Sequence, residues 1–119
     1  MKRRVRLRSQ KDFQAALRGK RIFSGKGLVV LAVPSGADHS RVGVTVSRQV
    51  KTAVERNRAR RRLREVARQL LLASDSAVLL RGIRYDVVLI ARPAALKLRF
   101  ADLKEETEQA ALRLTKLDS

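Results

Sequence analysis

The sequence predicts an α+β fold, in which one β-sheet is covered by packed helices. Two mainly apolar runs rich in β-branched residues, 28–33 and 85–91, have the length and composition of inner strands. A third segment, 41–48, alternates between valine and small or polar residues, as a half-covered strand does. Two further segments, 52–73 and 100–117, lack Pro and Gly and carry apolar residues at helical spacing.

Composition indicates a single nucleic-acid-binding domain spanning residues 1–119. The chain is 45% apolar, which suffices for one modest core, and its net charge is +17. A field of that size attracts nucleic acid or an anionic membrane surface. The absence of cysteine fits a reducing compartment, and no apolar run reaches the roughly 20 residues that span a bilayer. Because the basic N-terminus also lacks the apolar stretch of a secretory signal, we expect a cytoplasmic protein.

The first elements are a basic arm and a short helix. Residues 1–8 are expected to be a mobile arm, since five of them are Lys or Arg. A helix should follow at 9–17, where Ser9 can cap the start and Gly19 can end it. Asp12 lies in the first turn, where a negative charge is favourable. The predicted apolar face consists of Phe13, Ala16 and Leu17.

The next segments predict strands. Residues 20–23 form a short extended piece, and 28–33 form an inner strand that Pro34 ends. A polar turn at 35–40 then leads into 41–48, so we expect these two strands to pair as an antiparallel hairpin. One face of the second strand is small or polar, which leaves room for a ligand but also fits a partly exposed sheet. Its members are Gly43, Thr45 and Ser47.

The following helix is strongly basic and opens with a capping box formed by Thr52 and Glu55. Its sides separate by residue type at about 100° per residue. An apolar stripe contains Ala59, Leu63, Val66, Ala67 and Leu70; a basic flank contains Asn57, Arg60, Arg61, Arg64 and Arg68; a third side contains Arg58, Arg62 and Glu65. Like charges four residues apart cost about 0.2–0.5 kcal/mol per pair, so the flank suggests a polyanionic partner. The alternative is a solvated arginine-rich face.

The side chains offer no evident catalytic or metal site. The single histidine, His39, lies in a polar loop without a second His or Cys to complete a metal site. Capping or turn roles account for most of the candidate carboxylates, which are Asp12, Asp38, Asp75, Asp86 and Asp102. The scarcity of aromatic residues argues against a base-reading surface, and the open sheet beside a basic helix favours single-stranded RNA over duplex DNA. Binding should therefore be directed mainly at phosphates.

Four motifs together resemble the protein subunit of bacterial ribonuclease P. They are RLRSQKDFQAAL near the start, RVGVTVSR before the basic helix, the RNR-containing helix VERNRARRRLRE, and YDVVLIARPA after it. Their order and spacing match that family over about residues 5–114. The RNR triplet alone is weak evidence because arginine-rich helices are common, but its combination with RVGVTVSR is specific.

The resemblance implies an α-β-β-β-α-β-α sandwich with a left-handed βαβ crossover, the ribosomal protein S5 domain 2-like fold. It implies that a catalytic RNA subunit, using Mg²⁺ bound mainly by that RNA, removes the 5′ leader of precursor tRNA. The protein would bind that RNA and hold the leader in a cleft between the first helix, the sheet and the basic helix. It would supply no catalytic or metal-binding side chain.

The resemblance also implies which residues contact RNA. The matching positions are Phe13, Thr45, Arg56, Asn57, Arg58, Arg60, Arg61, Arg64 and Arg68. Leu17 and Val30 fall where relatives often carry aromatic residues, so base stacking should depend mostly on Phe13.

Three other functions compete with this interpretation. A structural ribosomal protein would have the same charge and size, but would not need the RVGVTVSR and RNR combination. A stand-alone nuclease would need a His or carboxylate constellation, which the sequence lacks. A membrane-surface protein fits poorly with three apolar strands.

Overall fold

The computed structural model describes residues 6–36, 40–70 and 84–117. The element order is α-β-β-β-α-β-α, as the resemblance implied. The helices are α1 (Gln10–Leu17), α2 (Ala53–Leu70) and α3 (Phe100–Lys116). The strands are β1 (Lys20–Ser24), β2 (Leu28–Pro34), β3 (Arg41–Val46) and β4 (Tyr85–Ala91). A short 3-10 helix, Pro93–Leu96, lies between β4 and α3.

The four strands form one mixed sheet in the order β1-β2-β4-β3. The predicted hairpin between β2 and β3 is therefore wrong, because β4 lies between them. β4 is antiparallel to β2, with Val30 opposite Leu89, and parallel to β3, with Val42 opposite Val87. β4 takes the central position because its side chains are apolar on both faces, and Val88 and Leu89 are both 0% exposed. The connection through α2 thus joins two adjacent parallel strands.

Apolar side chains form a separate core on each face of the sheet. The larger core lies between the sheet and the helices α2 and α3, and includes Leu28, Val30, Val42, Leu63, Val66, Leu89, Leu103 and Leu114. The smaller core lies beneath α1 and is built on Leu7, Ala16 and Val88, with Phe13, Leu17, Val33 and Ile90 partly buried against it. The α1 side of the sheet is therefore only partly covered.

The basic arm is shorter than the sequence predicted. Arg6 forms a parallel β-bridge with Val42, and the Leu7 N–H donates to the Val42 carbonyl at 2.9 Å. Leu7 is also buried in the smaller core. These two residues belong to the fold, because the edge of β3 offers free backbone groups and Leu7 fills apolar space. Residues 1–5 lie outside the described part of the chain.

The predicted caps of α1 are present. The Ser9 hydroxyl accepts from the Asp12 N–H at 3.4 Å, and the Gly19 N–H donates to the Ala16 carbonyl at 3.0 Å. Gly19 is required by a close approach, since a Cβ there would lie 2.4 Å from the Ala32 carbonyl oxygen of β2. This contact lets the chain turn directly from α1 into the sheet.

The capping box of α2 forms with a variation. The Glu55 N–H donates to the Thr52 hydroxyl at 3.2 Å, as predicted, while that hydroxyl donates to the Glu55 carboxylate at 2.9 Å. The predicted end of this helix at residue 73 lies outside the described ranges, as do Asp38, His39 and Asp75.

Among the helices that the structure describes, none has the length and apolar character needed to cross a membrane.

Candidate nucleic-acid interface

The apolar stripe of α2 fixes which side of the helix faces outward. Ala59, Leu63, Val66 and Ala67 are all 0% exposed and pack in the larger core, as predicted. Leu70 is the fifth predicted member of the stripe, and its side chain is not among those that the structure describes. With this stripe against the sheet, the neighbouring basic flank lies at the surface.

Three arginines lie near one another where the basic flank faces the edge of β3. Arg60 is held by Asn57, whose side-chain oxygen accepts from Arg60 Nη1 at 3.0 Å. Arg64 is half-buried, and burial together with the positive charges of Arg6 and Arg60 lowers the pKa of its guanidinium from the ordinary value. Arg6 lies beside Val42 on the open edge of β3. Within residues 6–36, 40–70 and 84–117, no carboxylate pairs with these three cations.

The partly covered face of the sheet carries the predicted aromatic residue. A Cβ on Gly43 would lie 2.7 Å from the Phe13 ring, so glycine at this position lets the ring lie directly on β3. Phe13 itself remains half-buried, and Thr45, two residues further along the strand, is also half-buried. The small face of β3 is therefore partly exposed, as one of the two alternatives from the sequence predicted, and binding of a ligand there stays a prediction. Gly43 accommodates a packed side chain, and Thr45 belongs to a partly exposed surface.

Arg56 has a structural role that the sequence did not indicate. Its Nη1 donates to the carbonyls of Ser47 at 2.9 Å and Val50 at 3.0 Å, and its Nη2 donates to the carbonyl of Val46 at 3.2 Å. The side chain therefore ties the loop between β3 and α2 to the first turns of the helix. Arg56 lies near the N-terminus of α2, where a positive charge is unfavourable, and this position in the sequence could have suggested a structural role.

Of the remaining arginines of α2, two have hydrogen-bond partners within the protein and two have none among the described residues. Arg62 donates to the carbonyls of Ala95 and Leu98 at 2.5 and 2.6 Å, and so anchors the 3-10 helix. Arg68 pairs with Glu65, although the sequence placed these residues on different sides of the helix. Hydrogen bonds from Arg68 and Gln69 lower the pKa of Glu65 to about 2. Arg58 and Arg61 are exposed and have no hydrogen-bond or ion-pair partner among the described residues.

Val30 lies on the opposite side of the sheet from Phe13. Val30 is 1% exposed in the larger core, so an aromatic residue there would not face the α1 side of the sheet. Its neighbour Leu31 has the opposite orientation, because side chains alternate along a strand, and is half-buried. Leu17 does lie on the α1 side, partly buried in the smaller core.

Most of the carboxylates have structural partners. Asp12 and Asp86 both bind Arg41, and Asp102 pairs with Arg99. Glu106 accepts from the backbone N–H groups of Gly27 and Leu28. In the part of the chain that the structure describes, no three His, Asp or Glu side chains gather into a group that could hold a metal ion.

Replacing Arg56 by alanine should destabilise the protein by about 1–2 kcal/mol, because three carbonyls at the end of β3 and in the following loop lose a charged donor. Thermal unfolding followed by circular dichroism measures the change. Arg58→Ala is the matched control, since Arg58 is exposed on the same helix, and its effect should stay within about 0.5 kcal/mol. Equal midpoints for the two variants would contradict a structural role for Arg56.

The chain was compared with known proteins. The family model for Ribonuclease P matches residues 1–115. The chain is 40% identical over 114 residues to the ribonuclease P protein component of Acidothermus cellulolyticus, a match that covers 94% of this chain and 89% of that protein. It is 36% identical over 107 residues to the corresponding protein of Erythrobacter litoralis, covering 90% and 83%.

Solved structures of similar proteins have the same fold. A mutant RNase P protein from Staphylococcus aureus superposes with a TM-score of 0.72 at 26% identity, covering 95% of this chain and 89% of that one. The RNase P protein from Thermotoga maritima superposes with a TM-score of 0.63 at 28% identity, covering 86% and 90%. The similarity thus extends over nearly the whole chain in both sequence and structure.

Proposed function

This chain belongs to the ribonuclease P protein family, and from that premise we propose that it binds two RNA partners. One is the catalytic RNA subunit of ribonuclease P, and the other is the 5′ leader of precursor tRNA. In this proposal the protein assists endonucleolytic removal of the leader, which produces the mature tRNA 5′ end, and the RNA subunit performs the chemistry.

One observation carries the proposal. Arg6 and Arg60 lie close enough to Arg64 for their charges to act on it, and Arg6 lies at the β3 edge. Among the described residues, no carboxylate pairs with these three arginines. Like charges held together in this way are stabilised by an anion, and RNA phosphates are anions that recur along a strand. Asn57 orients Arg60, so at least one of the donors is held in place before RNA binds.

The α1 side of the sheet supplies a surface suited to single-stranded RNA. The ring of Phe13 is half-buried over Gly43, which leaves part of it available to stack on a base. Thr45 adds a hydroxyl on the same face of β3. Because the guanidinium groups lie at the edge of this same strand, a leader could stack on Phe13 while its phosphates reach the arginines.

The contribution of the protein to catalysis is proposed to be electrostatic. Asp12, Asp86 and Glu106 are engaged in structural contacts, and the described residues offer no group fitted to hold Mg²⁺. In this proposal Mg²⁺ is bound mainly by the RNA subunit. The positive surface would increase the affinity for precursor tRNA by neutralising phosphates.

Reconstitution with the catalytic RNA tests the proposal. Leader removal from precursor tRNA is measured at low Mg²⁺ with and without the protein, and we expect the protein to increase the rate. No increase would reject the proposed function. Cleavage by the protein alone would favour a stand-alone nuclease, and binding to ribosomal RNA without any increase in cleavage would favour a ribosomal role.

In the same system, Arg64→Ala and Arg60→Ala should weaken the binding of precursor tRNA more than that of mature tRNA. Each should also reduce by about one unit the slope of log affinity against log salt concentration, as expected when one phosphate contact is lost. Lys116→Ala, which removes an equal charge from an exposed position on α3, is the matched control. Equal losses for the two tRNAs would place these arginines against the tRNA body or the catalytic RNA.

A further inference from the structure

We infer that Arg41 is a positioning residue, which holds α1 against the sheet and so sets the location of Phe13. This inference rests on the proposed function, because it concerns the surface to which the leader would bind. It assigns to Arg41 a role that neither its sequence position nor the basic flank of α2 indicates.

The side chain of Arg41 connects three elements of the fold. Arg41 is the first residue of β3. Its Nε and Nη2 donate to the two carboxylate oxygens of Asp86, at 2.9 and 2.7 Å, and Asp86 is the second residue of β4. Its remaining terminal nitrogen, Nη1, donates to Asp12 of α1 at 3.1 Å. One guanidinium group thereby joins the central strand, the edge strand and the first helix.

The two ends of this connection differ in burial. The side chain of Asp86 is 5% exposed and that of Arg41 is 19% exposed, so their bidentate pair is a fixed internal contact. These contacts with Asp86 raise the pKa of the Arg41 guanidinium above its ordinary value. The side chain of Asp12 is 37% exposed. The buried pair with Asp86 therefore holds the guanidinium group of Arg41 in place, and the more exposed contact with Asp12 attaches α1 to that group.

The helix α1 depends on such an attachment more than the other helices do. It has eight residues, and a helix this short is not stable by itself in water. Its only fully buried side chain is that of Ala16, and Phe13 and Leu17 are half-buried. Because the apolar contact area is small, the polar contact of Asp12 with Arg41 contributes to the docking of α1.

Asp12 immediately precedes Phe13, which makes the attachment relevant to RNA binding. The Asp12 N–H is also capped by Ser9, so the first turn of α1 is restrained on two sides. Loss of the contact with Arg41 should let the first turn move and displace the Phe13 ring from Gly43. Leader affinity should then decrease, because the stacking surface would have to be ordered again upon binding.

Asp12→Ala tests this inference, and Asp102→Ala is its matched control. Both residues lie in the first turn of a helix and accept from an arginine, and both substitutions raise the net charge by the same amount. They differ in that Arg99, the partner of Asp102, is 84% exposed and has no role in docking α1. Asp12→Asn keeps an acceptor for Arg41 and should have an intermediate effect.

Two measurements are made on each variant. Amide hydrogen exchange of the free full-length protein should accelerate by roughly threefold to fivefold over α1 in Asp12→Ala and remain unchanged there in Asp102→Ala. Affinity for precursor tRNA in the reconstituted complex should decrease by a similar factor, with mature tRNA affected less. The first measurement contains no RNA and is therefore independent of the proposed function.

The outcomes separate the two proposals. Unchanged exchange over α1 in Asp12→Ala would overturn the role of Arg41. Faster exchange with unchanged leader affinity would overturn its relevance to RNA binding. If the wild-type protein itself shows no preference for precursor over mature tRNA, the proposed function fails, while the exchange data still decide whether Arg41 holds α1.

Discussion

Asp86→Ala should destabilise the protein by about 3–5 kcal/mol, because it leaves the guanidinium of Arg41 largely buried without its main partner. The bidentate contact at 2.7 and 2.9 Å disappears, and the remaining contact with Asp12 is at the more exposed end. Urea unfolding followed by circular dichroism measures the free energy of unfolding. A loss of this size is a large share of the roughly 5–15 kcal/mol that stabilises an ordinary domain.

A double substitution separates the unpaired charge from the loss of packing. Removing both charged groups, as in Arg41→Met combined with Asp86→Leu, should recover a large share of the stability lost in Asp86→Ala, since no buried charge is left unpaired. If the double variant is no more stable than Asp86→Ala, the ion pair is not the cause of the loss. Asp102→Ala, at an exposed pair, should change the free energy of unfolding by less than about 1 kcal/mol.

Phe13→Ala should weaken leader binding by about 1–3 kcal/mol, which corresponds to a decrease in affinity of roughly 5- to 150-fold. The physical reason is the loss of the ring that lies over Gly43 at the partly covered face of the sheet. The measurement compares the affinities for precursor and mature tRNA. A smaller fraction of folded protein would lower both affinities by the same factor and would leave their ratio unchanged. Some decrease in thermal stability is also expected, since the ring packs on the smaller core.

Phe13→Leu serves as the matched variant, because it keeps an apolar side chain on the smaller core but removes the aromatic ring. We expect near wild-type stability and reduced leader affinity. If leader affinity is unchanged in Phe13→Leu while Phe13→Ala is destabilised, Phe13 is only a packing residue. Gly43→Ala should cause the same binding defect while leaving Phe13 in the sequence. The new methyl group at residue 43 would lie 2.7 Å from the Phe13 ring and would displace it.

The structure shows which inferences from sequence were dependable. The buried stripe of α2, including Leu63 and Val66, was correct because helical periodicity is a local property that the sequence displays directly. The caps of α1 and α2 were correct for the same reason. The orientation of Val30 could not be predicted because its strand is apolar on both faces, so alternation carries no information about which side faces which core.

The roles of individual arginines could not be read from the sequence. Arg56 and Arg60 are the same residue type, four positions apart on one helix. Arg56 is engaged by the carbonyls of Val46, Ser47 and Val50, while Arg60 is oriented by Asn57 with its charge left unpaired among the described residues. The difference arises from a loop that folds back over the start of the helix, and residue type does not encode that path. All nine predicted RNA contacts stay predictions: Phe13, Thr45, Arg56, Asn57, Arg58, Arg60, Arg61, Arg64 and Arg68.

The sequence by itself determined the elements, the basic character of α2 and the family, since all three depend on local patterns and on motifs kept in order along the chain. Only the tertiary structure decided that β4 separates β2 from β3, that Leu7 completes the smaller core, and that Arg41 joins α1 to the sheet. These features depend on contacts between residues distant in the chain. Their energies come from burial and from ion pairs formed only after the chain has folded.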